Sequence, residues 1–438
     1  MTRRTSISLL LAGALVGSAG ALAVTPPDFA VRAAQAAVTN VVAELNLFGE
    51  VFQRVRTDYV EKPDEKSMVT DAIGGMVSDL DPQSAYFTAA NVARAGERPG
   101  DATETIGVLL TQDDGATKVV SVLDGTPAAA AGVLAGDLIA FVNGHDLTGA
   151  NLMDVTDALN CVDAKPVPVT IVRDGVSDPF TLKLACAKPA TTSVQAHAEG
   201  PVGYVRISRF TQRTPDELKS AIEKIRAEVG ADKLRGYVFD LRNNPGGVFN
   251  AAVTVADDLL TDGNVVSVHA RNAADDREIA AKADDLTVGK PIVVLVNSGS
   301  AAEAEIVAGA LKDDHRATLV GARSFGMGSI QSVIPLGQDG ALRLTTARYY
   351  TPSGGAIQAK GIDPDIVVVQ KAPTPPNGAK PQTNAAAKTS GEGTPVASAA
   401  YIPQDPLKDT QLQYGLGLVR GSLINPVFPV SPKKPAAG

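Results

Sequence analysis

From about residue 203 to residue 368 the sequence alternates short apolar runs with helical segments, and this alternation limits the possible folds more than any other feature. Val202 to Ile207, Gly236 to Leu241, Pro291 to Val296 and Thr318 to Val320 suit buried strands, with helices between them. Thr214-Pro215-Asp216-Glu217 reads as a helix start, with an N-cap Thr, Pro at the first position and Glu closing a capping box. Such alternation predicts an α/β core. Upstream, from Glu104 to Ala187, the pattern changes to short strands with turn signals at Gly125-Thr126-Pro127 and Asn143-Gly144, plus one helix from Leu152 to Leu159. Further upstream, Leu45, Phe48, Phe52, Val55 and Tyr59 recur at helical spacing, as do Val69, Ile73, Met76 and Leu80.

The chain ends carry different signals. Arg3 and Arg4 precede an apolar run from Ile7 to about Val24, and Ala21-Leu22-Ala23 suits a cleavage site. These are the three parts of a secretory signal peptide. They predict export, to a bacterial periplasm, with membrane attachment only if the segment stays uncut. Lys371 to Ala399 is rich in Pro, Ala, Thr and Gly and reads as a disordered linker. The net charge of -8 and the absence of Trp argue against nucleic acid as a partner. Two cysteines, Cys161 and Cys186, allow one disulfide in an oxidising compartment or two buried thiols. Together with four scattered histidines they make no metal-ligand spacing, and no motif calls for a cofactor.

Two motif series carry a family resemblance. In the β-rich region, Glu104 to Val108, Gly125 to Ala128, Ala131 to Val133, Gly136 to Ile139 and Val142 to Gly144 follow one another as in a bacterial PDZ domain. That resemblance implies binding of an extended C-terminal peptide as an added strand, with Thr105, Ile106, Gly107 and Val108 forming the carboxylate loop. In the α/β region, the octet Asp240-Leu241-Arg242-Asn243-Asn244-Pro245-Gly246-Gly247 resembles a signature of carboxyl-terminal processing (tail-specific) proteases. Leu80 to Ser84, Arg348 to Gly354 and Gly361 to Asp365 resemble further motifs of that family. Gly246 and Gly247 would let backbone N–H groups approach a substrate carbonyl and form part of an oxyanion hole.

The resemblance implies an α+β multidomain chain. Its parts are a signal peptide (1–24), an N-terminal helical segment (40–93), a PDZ domain (104–187) and a crotonase-like α/β protease core (200–369). A linker (370–400) and a C-terminal segment (401–438) follow.

The family's nucleophile is the middle Ser of Asn-x-Gly-Ser-Ala-Ser-Ala-Ser-Glu, and its base is the Lys of Thr-Phe-Gly-Lys-Gly. Here the runs are Asn297-Ser298-Gly299-Ser300-Ala301-Ala302-Glu303-Ala304-Glu305 and Ser324-Phe325-Gly326-Met327-Gly328. The nucleophile position is Ala302 and the base position Met327, while the family's supporting Gln is retained as Gln331. Ala offers no nucleophilic atom and a thioether is a poor proton acceptor. Ser300 to Glu303 reads as a capping box at a helix start. The expectation from these residues is a pseudoprotease that binds C-terminal tails or unfolded polypeptide, with an active protease as a partner that it modulates. The alternative is a working serine-type endopeptidase that uses displaced catalytic groups.

Overall fold

The computed structural model describes residues 27–93, 106–113, 115–150, 152–159, 165–187, 191–282, 285–370 and 400–429. The signal-peptide segment, Thr105, Cys161 and all but the ends of the expected linker lie outside the described residues. The chain divides into two units, Met1–Ile73 and Gly74–Gly438. The first contains the helix Pro27–Asp58 and the start of the helix Glu65–Ser78. Among the described residues no helix is long and apolar enough to cross a membrane.

In the second unit the helical pattern stops earlier than the sequence suggests. The Asp81 carboxylate accepts from the Gln83 and Ser84 N–H groups at 2.8 and 2.9 Å and turns the chain. Strand β1 (Ala85–Phe87) follows. The β-rich region forms β2 (Val108–Asp113), β3 (Ala116–Val122), β4 (Leu138–Val142), β5 (His145–Asp146), β6 (Val167–Val172) and β7 (Phe180–Leu184). Their order is β2-β3-β4-β6-β7, with β5 on β4, so β2 is an edge strand. Alternating residues of β7 point inward, and Phe180, Leu182 and Leu184 join one apolar core with Val119, Val142 and Val169. The helix Leu152–Ala158 packs beside β2.

The α/β region begins with β8 (Val194–Glu199), β9 (Val202–Ile207) and β10 (Gly236–Asp240). It continues through β11 (Asn264–Ala270), β12 (Arg277–Ala280), β13 (Ile292–Val296) and β14 (Ala317–Gly321). It ends with β15 (Ser329–Pro335), β16 (Ala341–Tyr350) and β17 (Ile366–Val367). One sheet runs β17-β14-β13-β10-β9-β8. All its pairs are parallel except β8 with β9. Every residue of β10, β13 and β14 is buried, as expected of strands covered on both faces. The helices Thr214–Val229, Phe249–Asp257 and Glu303–Asp313 supply one core layer. The C-terminal helix Thr410–Arg420 covers the other face, with Leu412, Leu416 and Val419 against Val238, Val293 and Leu295. A Cβ at Gly415 would lie 3.2 Å from Val293 and Leu295, so the glycine permits close approach there.

The crotonase-like α/β core expected for 200–369 is corrected by this topology. A second, antiparallel sheet, β1-β16-β11-β12 with β15 on β16, makes up much of the core. Strand-helix alternation shows only the parallel sheet. The second sheet draws on segments as distant as 85–87 and 341–350, and β15 is half exposed along its length, so no continuous apolar run marks it.

Candidate active site

The octet turn is held from below by a buried ion network. Arg242 is 1% exposed and forks to two carboxylates. Its Nε and Nη2 donate to Asp240 at 3.0 and 2.6 Å, and its Nη1 and Nη2 to Asp409 at 2.8 and 2.7 Å. Tyr204 donates its hydroxyl to Asp240 at 2.9 Å, and Arg206 Nη1 donates to the Asp240 carbonyl at 3.2 Å. Burial pushes Asp240 upward, but the Arg242 and Arg206 guanidiniums outweigh it and hold the carboxyl down at about 2. Asp409 caps the C-terminal helix as well, accepting from Leu412 N–H at 3.0 Å. The sequence gives no sign that this distant segment would clamp the octet.

Above the network, side-chain amides fix the turn. Asn297 Oδ1 accepts from Asn243 N–H, and Asn297 Nδ2 donates to Asn243 Oδ1, each at 2.9 Å. Asn244 Oδ1 accepts from Gly246 N–H at 2.9 Å. Gly247 has φ 142°, and a Cβ there would fall 2.1 Å from the Phe210 carbonyl oxygen, so only glycine fits.

The segment between β13 and the helix Glu303–Asp313 forms a sharp elbow with Ala302 at its apex. Ala302 has φ 50° and ψ -118°, a conformation that costs an L-residue roughly 1–3 kcal/mol. The expected Ser300 to Glu303 capping box does not form. Ser300 Oγ donates to the Leu241 carbonyl at 2.8 Å and accepts from Asn297 N–H at 3.1 Å. The helix instead begins at Glu303, and Glu305 Oε2 accepts from Ala302 N–H at 3.0 Å. Ala302 has no acceptor of its own, so only this half of a capping box exists.

Glu305 also ties the elbow to the turn that carries Met327. Its Oε1 accepts from Ser324 Oγ at 2.5 Å and Gly326 N–H at 2.7 Å, and its Oε2 from Met327 N–H at 2.7 Å. It is fully buried. Burial pushes its carboxyl up to about 7, although these donors pull the other way. Glu303 turns toward the octet, and its Oε2 accepts from Gly247 N–H at 2.7 Å. A carboxylate therefore occupies the N–H expected to receive a substrate carbonyl.

The octet, the elbow and the Met327 turn thus converge, joined further by Ala301 N–H to the Asn244 carbonyl and Phe325 N–H to the Ser300 carbonyl, each at 2.9 Å. Gln331 lies on β15 and donates to Ser329 Oγ and Thr345 Oγ1 at 2.9 and 3.3 Å. The β-rich domain reaches the same place. Leu109 and Val120 form a cluster with Ala301, against which Phe325 and Met327 pack. Ser121 Oγ donates to the Asn243 carbonyl at 2.7 Å. In the loop expected to meet a tail carboxylate, Gly107 has φ 89°, and a Cβ there would collide with Thr126. The Ile106 carbonyl accepts from Ala128 N–H and the Gly107 carbonyl from Leu123 N–H, each at 2.9 Å. Cys186 is disulfide-bonded. Among the described residues no cluster of His, Cys, Asp and Glu could hold a metal ion. Sequence reasoning places Glu303 in the helix's first turn but misses its contact with Gly247. It also misses Glu305 as the junction of two turns; the only available signal was a Glu three residues after the elbow apex.

Comparison with known proteins extends this picture. The profile of Peptidase family S41 matches residues 201–368, and that of the PDZ domain matches residues 98–172. The carboxy-terminal-processing protease of Bartonella bacilliformis is 42% identical over 401 residues, 90% of this chain and 92% of that protein. The carboxy-terminal processing protease CtpA of Bacillus subtilis is 30% identical over 326 residues, 74% of this chain and 69% of that protein. Among solved structures, the photosystem II D1 C-terminal processing protease aligns with a TM-score of 0.61 at 30% identity, covering 74% of this chain and 92% of that one. The core fold is therefore that of the S41 peptidases, which replaces the crotonase-like expectation. The same kinship overturns the expectation of a pseudoprotease confined to binding. Extended similarity to carboxyl-terminal processing proteases favours the alternative, an active serine-type endopeptidase. The chain belongs to the carboxyl-terminal processing proteases of Peptidase family S41 and carries a PDZ domain.

Proposed function

We propose that this protein is an exported carboxyl-terminal processing endopeptidase that works without a Ser-Lys pair at positions 302 and 327. The observation that carries the reading is the strained elbow at Ala302, φ 50°, whose next residue, Glu303, accepts from the Gly247 N–H. A reactive elbow places the reacting atoms beside backbone donors, and the main-chain conformation at Ala302 supports that reading. Its side chains assign the chemistry elsewhere, because Ala302 and Met327 supply neither nucleophile nor base.

Substrates of this reading are protein tails or unfolded polypeptides. A tail would pair with the edge strand β2, and its carboxylate would meet the Thr105 to Val108 loop, beside the helix Leu152–Ala158. Gly246 and Gly247 would receive the scissile carbonyl, and Gln331 would line the cleft from β15. Export rests on the Arg3-Arg4 segment and its apolar run.

The test is digestion of an unfolded protein with an apolar C-terminal tail by the purified mature chain, followed by mass spectrometry. Cleavage is expected, faster for a free C-terminus than for an amidated one. No cleavage of either substrate would sink the reading.

A further inference from the structure

Just after the elbow apex this chain departs from its family's run: Glu303 stands where Asn-x-Gly-Ser-Ala-Ser-Ala-Ser-Glu has Ala. The added carboxylate does not point to solvent. Glu303 is 9% exposed, and its Oε2 accepts from Gly247 N–H at 2.7 Å. A Cβ placed on Gly246 would lie 2.3 Å from the same oxygen and 2.8 Å from the Ala302 Cβ, so the carboxylate fills the space between the apex and the octet glycines. Both sides of the contact are fixed in their main chain. Asn243, Asn244 and Asn297 hold the octet. On the elbow, Glu305 accepts from Ala302 N–H, and the Ala302 carbonyl accepts from Glu305 N–H at 2.9 Å. The carboxylate can therefore leave Gly247 by side-chain rotation, with the elbow in place. A substrate carbonyl cannot share the donor, because its oxygen would stand where Oε2 stands. Charge adds to the exclusion: an oxyanion forming at Gly247 would meet a carboxylate at close range in a poorly solvated site. The positive end of the helix Glu303–Asp313 favours the carboxylate in its first turn and so favours the covered state.

We infer that Glu303 is an autoinhibitory latch: its carboxylate occupies the carbonyl-binding N–H of Gly247 in the resting chain and must swing away before a substrate can be cut. This rests on the reading that the chain cleaves tails with Gly247 as a receiving donor. The latch makes and breaks no covalent bond, so the serine-type chemistry of the family is untouched by it. Its effect is on population. Only molecules with the latch open can take the scissile carbonyl, and the apparent rate is lowered by that fraction. Glu305, one turn-position further on, has a different task. Its oxygens are engaged by the Ala302, Ser324, Gly326 and Met327 donors, and it holds the elbow in shape whether the latch is open or closed.

The experiment compares the wild type with Glu303→Gln and Glu303→Ala on the tailed substrate, and reads amide hydrogen exchange of the octet segment by mass spectrometry in the same proteins. Gln removes the charge but keeps an oxygen acceptor, whereas Ala removes both. The expected result is a rise in kcat/KM of about 10- to 100-fold for Glu303→Ala, the size of a surrendered hydrogen bond to a charged group, and a smaller rise for Glu303→Gln. Exchange at Gly247 should quicken by about tenfold or more in Glu303→Ala, a change that does not depend on cleavage. Equal or slower cleavage by a folded Glu303→Ala overturns the inference, because the carboxylate would then be idle or would merely hold the turn. If Ala lowers the urea midpoint, Glu303→Gln decides, and a rate at or below that of the wild type overturns the inference. Unchanged exchange at Gly247 also overturns it, since the contact would not be what covers the donor. Three inactive proteins remove the parent reading and this one together, whereas a wild type that cleaves as fast as both variants removes this one alone.

Discussion

Two fully buried carboxylates hold the candidate site, and they are satisfied in opposite ways. Asp240 lies between Arg242 and Arg206 and is held at about 2. Glu305 meets only neutral donors, a hydroxyl and three backbone N–H groups, and burial carries it up to about 7. The difference separates two jobs. The octet below is riveted by a charge pair that stays ionised at any physiological pH. The elbow and the Met327 turn above hang on a carboxylate that titrates near neutrality. The first is a permanent mount, and the second is a junction whose charge depends on conditions.

The comparison can be broken most forcefully at its rivet. Arg242→Ala leaves Asp240 and Asp409 buried without their shared cation and should cost about 3–5 kcal/mol, read as a lower urea midpoint. A loss under 1 kcal/mol would show that the network does not hold the octet.

The pH dependence sharpens the contrast, because the two groups have opposite signs. For Glu305 the folded value, about 7, lies above the unfolded value of 4.5. Between those values the folded state binds more protons, so its contribution to stability is full below pH 4.5 and declines as pH rises through 7. The difference is worth about 3 kcal/mol. For Asp240 the folded value of about 2 lies below 3.8, so its contribution is present above pH 3.8 and is lost as pH falls through 2. Denaturation of the wild type and Glu305→Gln at pH 5 and pH 8 isolates the first group. The variant should lose most of the wild type's decline between those values, and an unchanged slope would count against Glu305 as its source.

A smaller effect is expected at Gly247. Gly247→Ala places a Cβ against the Phe210 carbonyl and should cost roughly 1–3 kcal/mol through backbone strain. Cleavage should fall by about 10²-fold as the carbonyl-binding N–H shifts. Retention of full activity would move the oxyanion site elsewhere. The smallest change expected is Ser300→Ala, which removes the hydroxyl bonds to Leu241 and Asn297. It should cost about 1 kcal/mol and leave the cleavage rate near that of the wild type. Loss of all activity in a folded Ser300→Ala protein would identify Ser300 as the nucleophile.

These contrasts also mark what a sequence can disclose. The parallel sheet is legible because Ile292 to Val296 and Gly236 to Asp240 are unbroken apolar or buried runs, and strands covered on both faces must look that way. The antiparallel sheet is not, since β15 and β16 are half exposed and the pairing of β16 with β1 spans more than 250 residues. Ala302 and Met327 can be placed by counting along their motifs. The grip of Asp409 on Arg242 cannot, because it joins segments on either side of a Pro-rich stretch without a local pattern. Glu305 has a sequence cue, but its four donors come from two turns that only the fold brings together. Ser300 misled in the other direction. Its spacing from Glu303 suits a helix cap, yet its hydroxyl is drawn inward to the Leu241 carbonyl.

The most direct measurement is the number of cleavage events per wild-type molecule on the tailed substrate, with Ala302→Ser/Met327→Lys run in parallel. The account predicts many turnovers by the wild type. Cleavage by the restored double variant alone, with less than one event per wild-type molecule, would contradict it.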